Sequence, residues 1–591
     1  MAERPTRVGS GSAFWALGLG LFAACSDGTA PPPPAGEPDV RFTTAEISIG
    51  SERSGQFTLR NDGDAAAGPV ELRASQIRDG AQQPALGASV ILQDAEIATL
   101  NAGASRTVAF SVDFPEGASP GSYEADVTAH LAGEQVASLR LNLLVAAVPG
   151  GGVAVVIGNA PALLVQGDVA ALSAVVTDSA GDAVSDPSLA WRVEPLGAGL
   201  ADASGQVVGY EPGTVRVIAS VDAVEDTVEI AVEPRGLSGS FTQVGLGPVP
   251  ERFSSDLWVF GANAYSGTWG FRTVDGTTSG GNQLLAWNIS SPAAPARTDS
   301  ITIDARVVND VKVSADGALA VATHESSSDG ENGVTLLDLA DPDHPTIIAR
   351  FKPSDLLPGV HNVWIDGNQL YVVVDGGAPT SGLRIVDVSD PGNPAIVSQF
   401  YAGSSFLHDV IVRDGFAFLS HWNAGLVILD VGNGLSGGSP SAPVEVSRIT
   451  LDGQTHNAWY WPAAGYLFVG EEDTATPGIV HVLDVSNLSA PRRVATLRVP
   501  GDTPHNFWLD EAAGVLYVAW YSNGLRAVDV SGELLGALER QGREIAFLDY
   551  GTDGGCPGST DATCTWAPQV HGGEVWVSDM NQGLFSFSTD F

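Results

Sequence analysis

Lysine is nearly missing from this 591-residue chain. Lys312 and Lys352 are the only two, and Lys plus Arg number 28 against 69 Asp plus Glu. The net charge of −41 and a pI near 4.3 exclude a nucleic-acid partner, because phosphate recognition needs clustered cations. Only three cysteines are present, too few for a thiolate metal centre. The leading apolar run, Ala13 to Ala24, falls short of the ~20 residues of a membrane-spanning helix. Phosphate-cradling loops, a dinucleotide fingerprint and a DxDxDG calcium loop are all missing. Gly434-Leu435-Ser436-Gly437-Gly438 fits G-x-S-x-G but lies in a Gly/Ser loop with no strand before it or helix after it, which excludes a nucleophile elbow. His324-Glu325 begins like a zincin motif, yet no second histidine follows four residues after the first. Asp329-Gly330-Glu331-Asn332 is acidic but a poor calcium loop. With 44% hydrophobic and only 16% charged residues the chain is not disordered, and its length calls for about three domains.

What the chain does have is repetition. Ser255-Asp256-Leu257, Asn309-Asp310-Val311, His361-Asn362-Val363, His408-Asp409-Val410, His456-Asn457-Ala458 and His505-Asn506-Phe507 each open a unit. An apolar strand follows, such as Leu370 to Val374, then a Gly-Leu/Val strand such as Gly382 to Asp387, and the clearest copies close on a proline pair such as Pro391 and Pro394. The steps from His361 to His408, His456 and His505 are 47, 48 and 49 residues. A period of about 40–50 residues holding four short strands is that of a propeller blade, which buries both faces only against its neighbours around an axis. Six full copies and a short seventh, Trp566 to Phe591, predict seven blades, with Gly239 to Val244 supplying the last blade's missing outer strand.

Leu383-Arg384-Ile385-Val386-Asp387-Val388 and Leu426-Val427-Ile428-Leu429-Asp430-Val431 resemble the LVIVD-repeat family of bacterial and archaeal surface propellers, over essentially all of 240–591. The resemblance implies fold and surface location but no settled reaction. Arg4 and Arg7 ahead of Ala13–Ala24, ending in Leu21-Phe22-Ala23-Ala24-Cys25, resemble a bacterial lipoprotein signal with Cys25 lipidated; Ser26, rather than Asp, then implies the outer membrane. Plain cleavage and secretion is the other reading. The expected organisation is all-β: signal peptide 1–25, Pro-rich tether 26–38, Ig-like β-sandwich 39–147, a second module 153–234, and the seven-bladed propeller 237–591. The second module resembles the bacterial Ig-like group 2 domain through Trp191, Ala203 to Tyr210 and Pro212 to Val215. Both modules are expected to lift the propeller off the membrane. Cys556 and Cys564, an even pair in an exported chain, read as a disulfide pinning an insertion before the last blade.

Chemistry is expected at the propeller mouth. The opening positions Ser255, Asn309, His361, His408, His456, His505 and Trp566 form one ring there, with His571 out of register. The second-strand ends Thr268, His324, Asp375, His421, Glu471, Trp520 and Asp579 are expected to form a wider ring on the same face. On one reading the repeated polar openers tie loops together, and repetition favours it. On the other, His361, His408, His456 and His505 bind a divalent metal such as zinc, copper, iron or nickel, or an anionic ligand. Most of the nearby Trp residues read as packing, but Trp422 and Tyr521, at strand ends, suit stacking on a sugar or peptide. The rim expected to bind a ligand is thus His324, Asp375, His421, Glu471, Trp422, Trp520, Tyr521 and Asp579. The favoured function is non-catalytic binding of an extracellular protein or glycan by a lipid-anchored surface protein; the alternative is a metal-dependent periplasmic or extracellular enzyme at the same mouth.

Overall fold

The computed structural model describes residues 38–591 except 50–52, 81, 116–117, 119–120, 146–153, 186, 222–223, 375–380, 404–405, 452, 474–477 and 553. Cys25, nearly all of the Pro-rich segment, the Gly-rich stretch 148–152 and Asp375 lie outside the described residues. Among those described, every regular element is a β-strand apart from single 3₁₀ turns at Ser354–Leu356 and Leu538–Arg540. Among the described residues no helix is long and apolar enough to cross a membrane.

Residues 40–145 form two facing sheets, one containing Ser54–Asn61 and Ser105–Asp113, the other Gly121–Leu131 and Glu134–Val145. Gly121–Leu131 alternates buried and half-buried positions, as a strand with one face on a core must. Phe57, Leu59, Phe110, Val127 and Leu141 fill that core. A second sandwich, residues 154–233, packs three smaller sheets around Trp191, Val193, Val207 and Val217.

Seven further sheets of four or five strands, and one two-stranded hairpin of Phe271–Val274 with Thr277–Gly280, follow among the described residues and make a β-propeller; three of the seven, spanning residues 311–449, consist of consecutive strands alone. Their middle strands are apolar throughout rather than alternating: Leu319–His324 and Phe416–His421 are buried at every position. A strand between two neighbouring sheets has no solvent face, so both of its sides select hydrophobic residues. The outermost strands do alternate, as Ala395–Phe400 shows, because one side meets water. Cores are shared between sheets: Tyr371, Val373 and Ile385 pack on Val410, Leu419 and Val427 of the next one. Phe241–Pro248 pairs with Gly583–Thr589, so the last sheet takes its outer strand from the far end of the domain. Leu257, Val259 and Trp287 of the first sheet pack on Trp566 and Trp576 of the last, which closes the ring.

The two sandwiches are docked on the propeller flank, not strung out ahead of it. Arg493 donates to the Gln82 carbonyl of the first sandwich (3.2 Å), and Arg498 pairs with Asp126 (2.7 Å). Burial would raise the Asp126 carboxyl, but Arg498 and Arg140 outweigh it and hold the group below its usual range. The second sandwich is held by Arg543 Nη2 donating to the Gly167 carbonyl (2.7 Å), by Arg235 paired with Asp529 (2.6 Å), and by Tyr210 packed on Leu535 and Ala537. The segment that docks the second sandwich lies between Leu525–Asp529 and Glu544–Leu548 of the sixth sheet. Both modules therefore touch the propeller directly through side-chain contacts. Cys556 and Cys564 form the disulfide in the loop ahead of Thr565–His571.

Candidate functional site

Period two along each innermost strand sets what faces the axis. Asp256/Trp258, Asp310/Lys312, Asn362/Trp364, Asp409/Ile411, Asn457/Trp459 and Asn506/Trp508 are the second and fourth residues of their units, and nearly all line one axial chamber. That chamber holds only about 60 Å³, room for a few waters and not for a substrate. At one end Trp258 stacks edge-on against Trp364 (5.7 Å) and Trp508 (6.3 Å), and Trp459 against Trp508 (4.9 Å). Lys312 Nζ sits over Trp258 at 5.3 Å and pairs with Asp256 at 3.0 Å and more closely with Asp310. Burial pushes Asp409 up to about 7, against the pull of Lys312.

The opening residues lie at the other end. In the first, third, fifth and last sheets a β-bulge falls on them, between Ser254 and Leu257, Val360 and Asn362, Thr455 and Asn457, and Thr565 and Ala567. The bulge turns His361, His456 and Trp566 out of the alternation and aims them at the mouth. The imidazoles then follow one another at ring-centre distances of 4.5, 4.3 and 4.4 Å from His361 through His408 and His456 to His505, with Trp566 4.1 Å beyond.

These openers bridge the sheets. Ser255 Oγ donates to the Val308 carbonyl (2.6 Å), Asn309 Nδ2 to His361 (3.0 Å), His408 Nδ1 to His456 (3.1 Å) and His505 Nδ1 to Trp566 (2.8 Å). Their neighbours do the same: Asn362 Oδ1 accepts from the Val410 amide (3.2 Å), Asn457 Nδ2 donates to the His505 carbonyl (3.0 Å), and Asn506 Nδ2 donates to Asp256 (3.1 Å). Tying neighbouring units together is therefore one thing the openers do. Because a carbonyl can only accept, Nδ1 of His408 and His505 must carry the proton, and Nε2 keeps its lone pair. Burial, reinforced by neighbouring imidazoles, holds His408 and His456 far below the usual histidine range, and burial holds His505 at about 4. All three are neutral at pH 7.

Four imidazoles on this arc do not converge on one ion. Neighbours 4.3–4.5 Å apart in a row leave His361 and His505, at its two ends, too far apart to share an ion whose ligands lie within ~4.2 Å of each other. His361 is also engaged by Glu325 Oε1 at its Nδ1 (2.8 Å). The ligating atoms that do gather, all within 4.8 Å of one another, belong to His408, His456 and Glu472.

The expected wider ring is displaced by one residue. Thr268, His324, His421, Glu471, Trp520 and Asp579 turn into the interior: His324 Nε2 meets Thr335 (2.9 Å), Glu471 accepts from His481 (2.6 Å), and Asp579 accepts from the Cys564 amide (2.7 Å), while His421 is 2% exposed and Trp520 is fully buried. Their partners make them framework groups, and Asp579 is pushed up to about 6 by its burial. The next residue in each strand reaches the mouth instead: Glu325 at His361, Trp422 stacked on His408 (4.8 Å, 28°), Glu472 at His456 (3.6 Å) and Tyr521 against His505 (4.8 Å). Trp422 and Tyr521 hold φ of 27° and 43°, a left-handed backbone that bulky residues avoid, at the corner where the strand leaves its ladder. Phe406 completes an aromatic edge, 5.9 Å from Trp422 and 5.7 Å from His408. Glu325, Glu472 and Phe406 escaped sequence reasoning. The adjacency of Glu325 to His324 and of Glu472 to Glu471 was the available signal.

The LVIVD repeat family matches residues 359–401 and 407–450, which are the third and fourth sheets. No curated protein sequence matches the chain. Among solved structures, the β-propeller domain of Myceliophteria thermophila Cps50 (Swd1) is 13% identical with a TM-score of 0.39, over 58% of this chain and 98% of that one. The C-terminal WD40 domain of Sif2 is 13% identical with a TM-score of 0.38, over 64% and 89%.

Proposed function

We propose that this chain is a surface protein anchored through a lipid on Cys25, in which two Ig-like modules buttress a seven-bladed propeller, and that its mouth binds an extracellular protein or glycan without catalysis. The carrying observation is the asymmetry of the axis. Four indoles and the Lys312 cluster fill one end, while half-buried Phe406 and Trp422, with Tyr521 beneath, border neutral imidazoles at the other. Aromatic faces beside fixed donors and acceptors suit the C–H face and hydroxyls of a sugar, or a peptide turn. The net charge of −41 directs the choice away from polyanions. Seven sheets cross-tied at their openers make a rigid frame, which lowers the entropy cost of binding.

A panel of surface glycans and extracellular peptides tests this with the full chain and Trp422→Ala. Binding that weakens at least about 10-fold in the variant is expected, as for loss of a stacking anchor. No ligand, or one that Trp422→Ala and Phe406→Ala leave untouched, refutes the mouth as the binding surface. A metal-dependent enzyme is the second reading, and the gathering of His408, His456 and Glu472 is the observation that favours it.

A further inference from the structure

We infer that His408, His456 and Glu472 form a binding site for one divalent transition metal of the zinc class, with a coordination position left open at the mouth. The inference shares only its metal with the second reading above and assumes no reaction; it stands whether or not the mouth binds a glycan.

Among the described residues this is the one group of three such side chains whose ligating atoms lie within 4.8 Å of one another. His456 Nε2 and Glu472 Oε2 are 3.6 Å apart, close to the ~3.4 Å separating two ligands on a tetrahedral ion at 2.0–2.2 Å. The second observation is independent of that spacing. His456 is 1% exposed, yet neither ring nitrogen meets a partner in good hydrogen-bond geometry. A buried imidazole with neither nitrogen well paired carries a desolvation cost that an ion would offset.

The surroundings prepare the other two ligands. The bond from His408 Nδ1 to the His456 carbonyl fixes the tautomer that presents Nε2, the outer-sphere arrangement found around metal-bound histidines. Tyr521 Oη donates to Glu472 Oε1, which leaves Oε2 toward His456. Two imidazoles and one carboxylate are a borderline donor set suited to zinc, cobalt, nickel or iron, and poorly suited to calcium or magnesium. Three protein ligands also leave a position for water or a ligand donor.

The test uses the full chain, purified without a histidine tag and stripped by chelator, titrated with Co²⁺ and then with Zn²⁺ in competition. Visible d–d absorption reports coordination and near-UV circular dichroism reports the fold. One Co²⁺ per chain, displaced by Zn²⁺, is expected. His456→Gln and the isosteric Glu472→Gln should each weaken it about 100-fold or more, while His505→Gln, outside the triplet, should change it less than about 10-fold. Absence of Co²⁺ and Zn²⁺ binding by the folded wild type overturns the site. So does binding that survives in both ligand variants, or that falls as far in His505→Gln. Glycan capture is scored separately, so its failure leaves the metal result standing.

Discussion

Replacing Lys312 by methionine is expected to remove about 3–5 kcal/mol of stability, the usual cost of taking one partner out of a buried ion pair. Lys312 is the only cation of the axial belt, with its side chain 7% exposed and those of Asp256 and Asp310 at 11% and 1%. Methionine keeps the stem over Trp258 and deletes only the charge, so the loss isolates electrostatics from packing. Burial would raise Asp256, but Lys312 overcomes that and holds it below its usual range; Asp310 stays high because burial dominates there. Asp256 therefore contributes stability above its unfolded pKa, and that contribution fades as pH falls through its depressed folded value. Without the cation both carboxyls favour protonation, so the gap between variant and wild type should narrow from about pH 7 to about pH 5. Urea unfolding followed by tryptophan fluorescence measures it, and adding Asp256→Asn should restore part of the loss. A deficit under about 1 kcal/mol at pH 7, or one that widens on acidification, would refute the reasoning.

Acid should weaken the propeller through its buried histidines. His324 and His505 are held at about 4 against an ordinary 6.5, His324 by burial with help from Lys352 and Arg350, so the unfolded chain takes up protons first. Stability should fall between about pH 6.5 and pH 4, by up to about 3 kcal/mol for each, and His324→Gln should flatten the slope in denaturant titrations at stepped pH. Arg498→Ala should loosen the first sandwich by about 2 kcal/mol, seen as faster hydrogen exchange in Glu134–Val145 while the propeller core stays protected. Reducing Cys556–Cys564 closes off a loop constraint worth about 2.5 kcal/mol in the chain-entropy picture, and a melt with and without reductant reads it. Cys25→Ser should move the protein from the membrane fraction to the soluble fraction, and retention in the membrane would remove the lipid anchor.

Much of the fold was legible because it is periodic. The step of 47 to 49 residues between histidines, and apolar runs such as Leu370 to Val374, follow from a sheet buried on both faces between copies of itself. The mouth was legible only by half. His361, His408, His456 and His505 do line it, since each opens its strand, but the companion ring was read one residue early. The same displacement occurs in the second, fourth and sixth sheets, whose first two strands pair without a bulge, and in the fourth and sixth it falls where the second strand leaves its ladder in a left-handed backbone at Trp422 and Tyr521. Glu471, expected at the rim, is spent on His481, and Glu472 stands at the mouth.

The sequence by itself determined the all-β class, the repeating unit, the acidic character, and the pairing of Cys556 with Cys564. Each is a matter of composition or of contacts within one period, which local propensity and burial pattern dictate. Only the tertiary structure decided which side chains meet. The approach of His408 to His456 and Glu472, the latching of Ser255, Asn309, His408 and His505 to the next sheet's backbone, and the docking of both sandwiches through Arg493, Arg498 and Arg543 join residues tens to hundreds of positions apart. Ring closure and strand register fix those meetings, and neither is written in any one repeat.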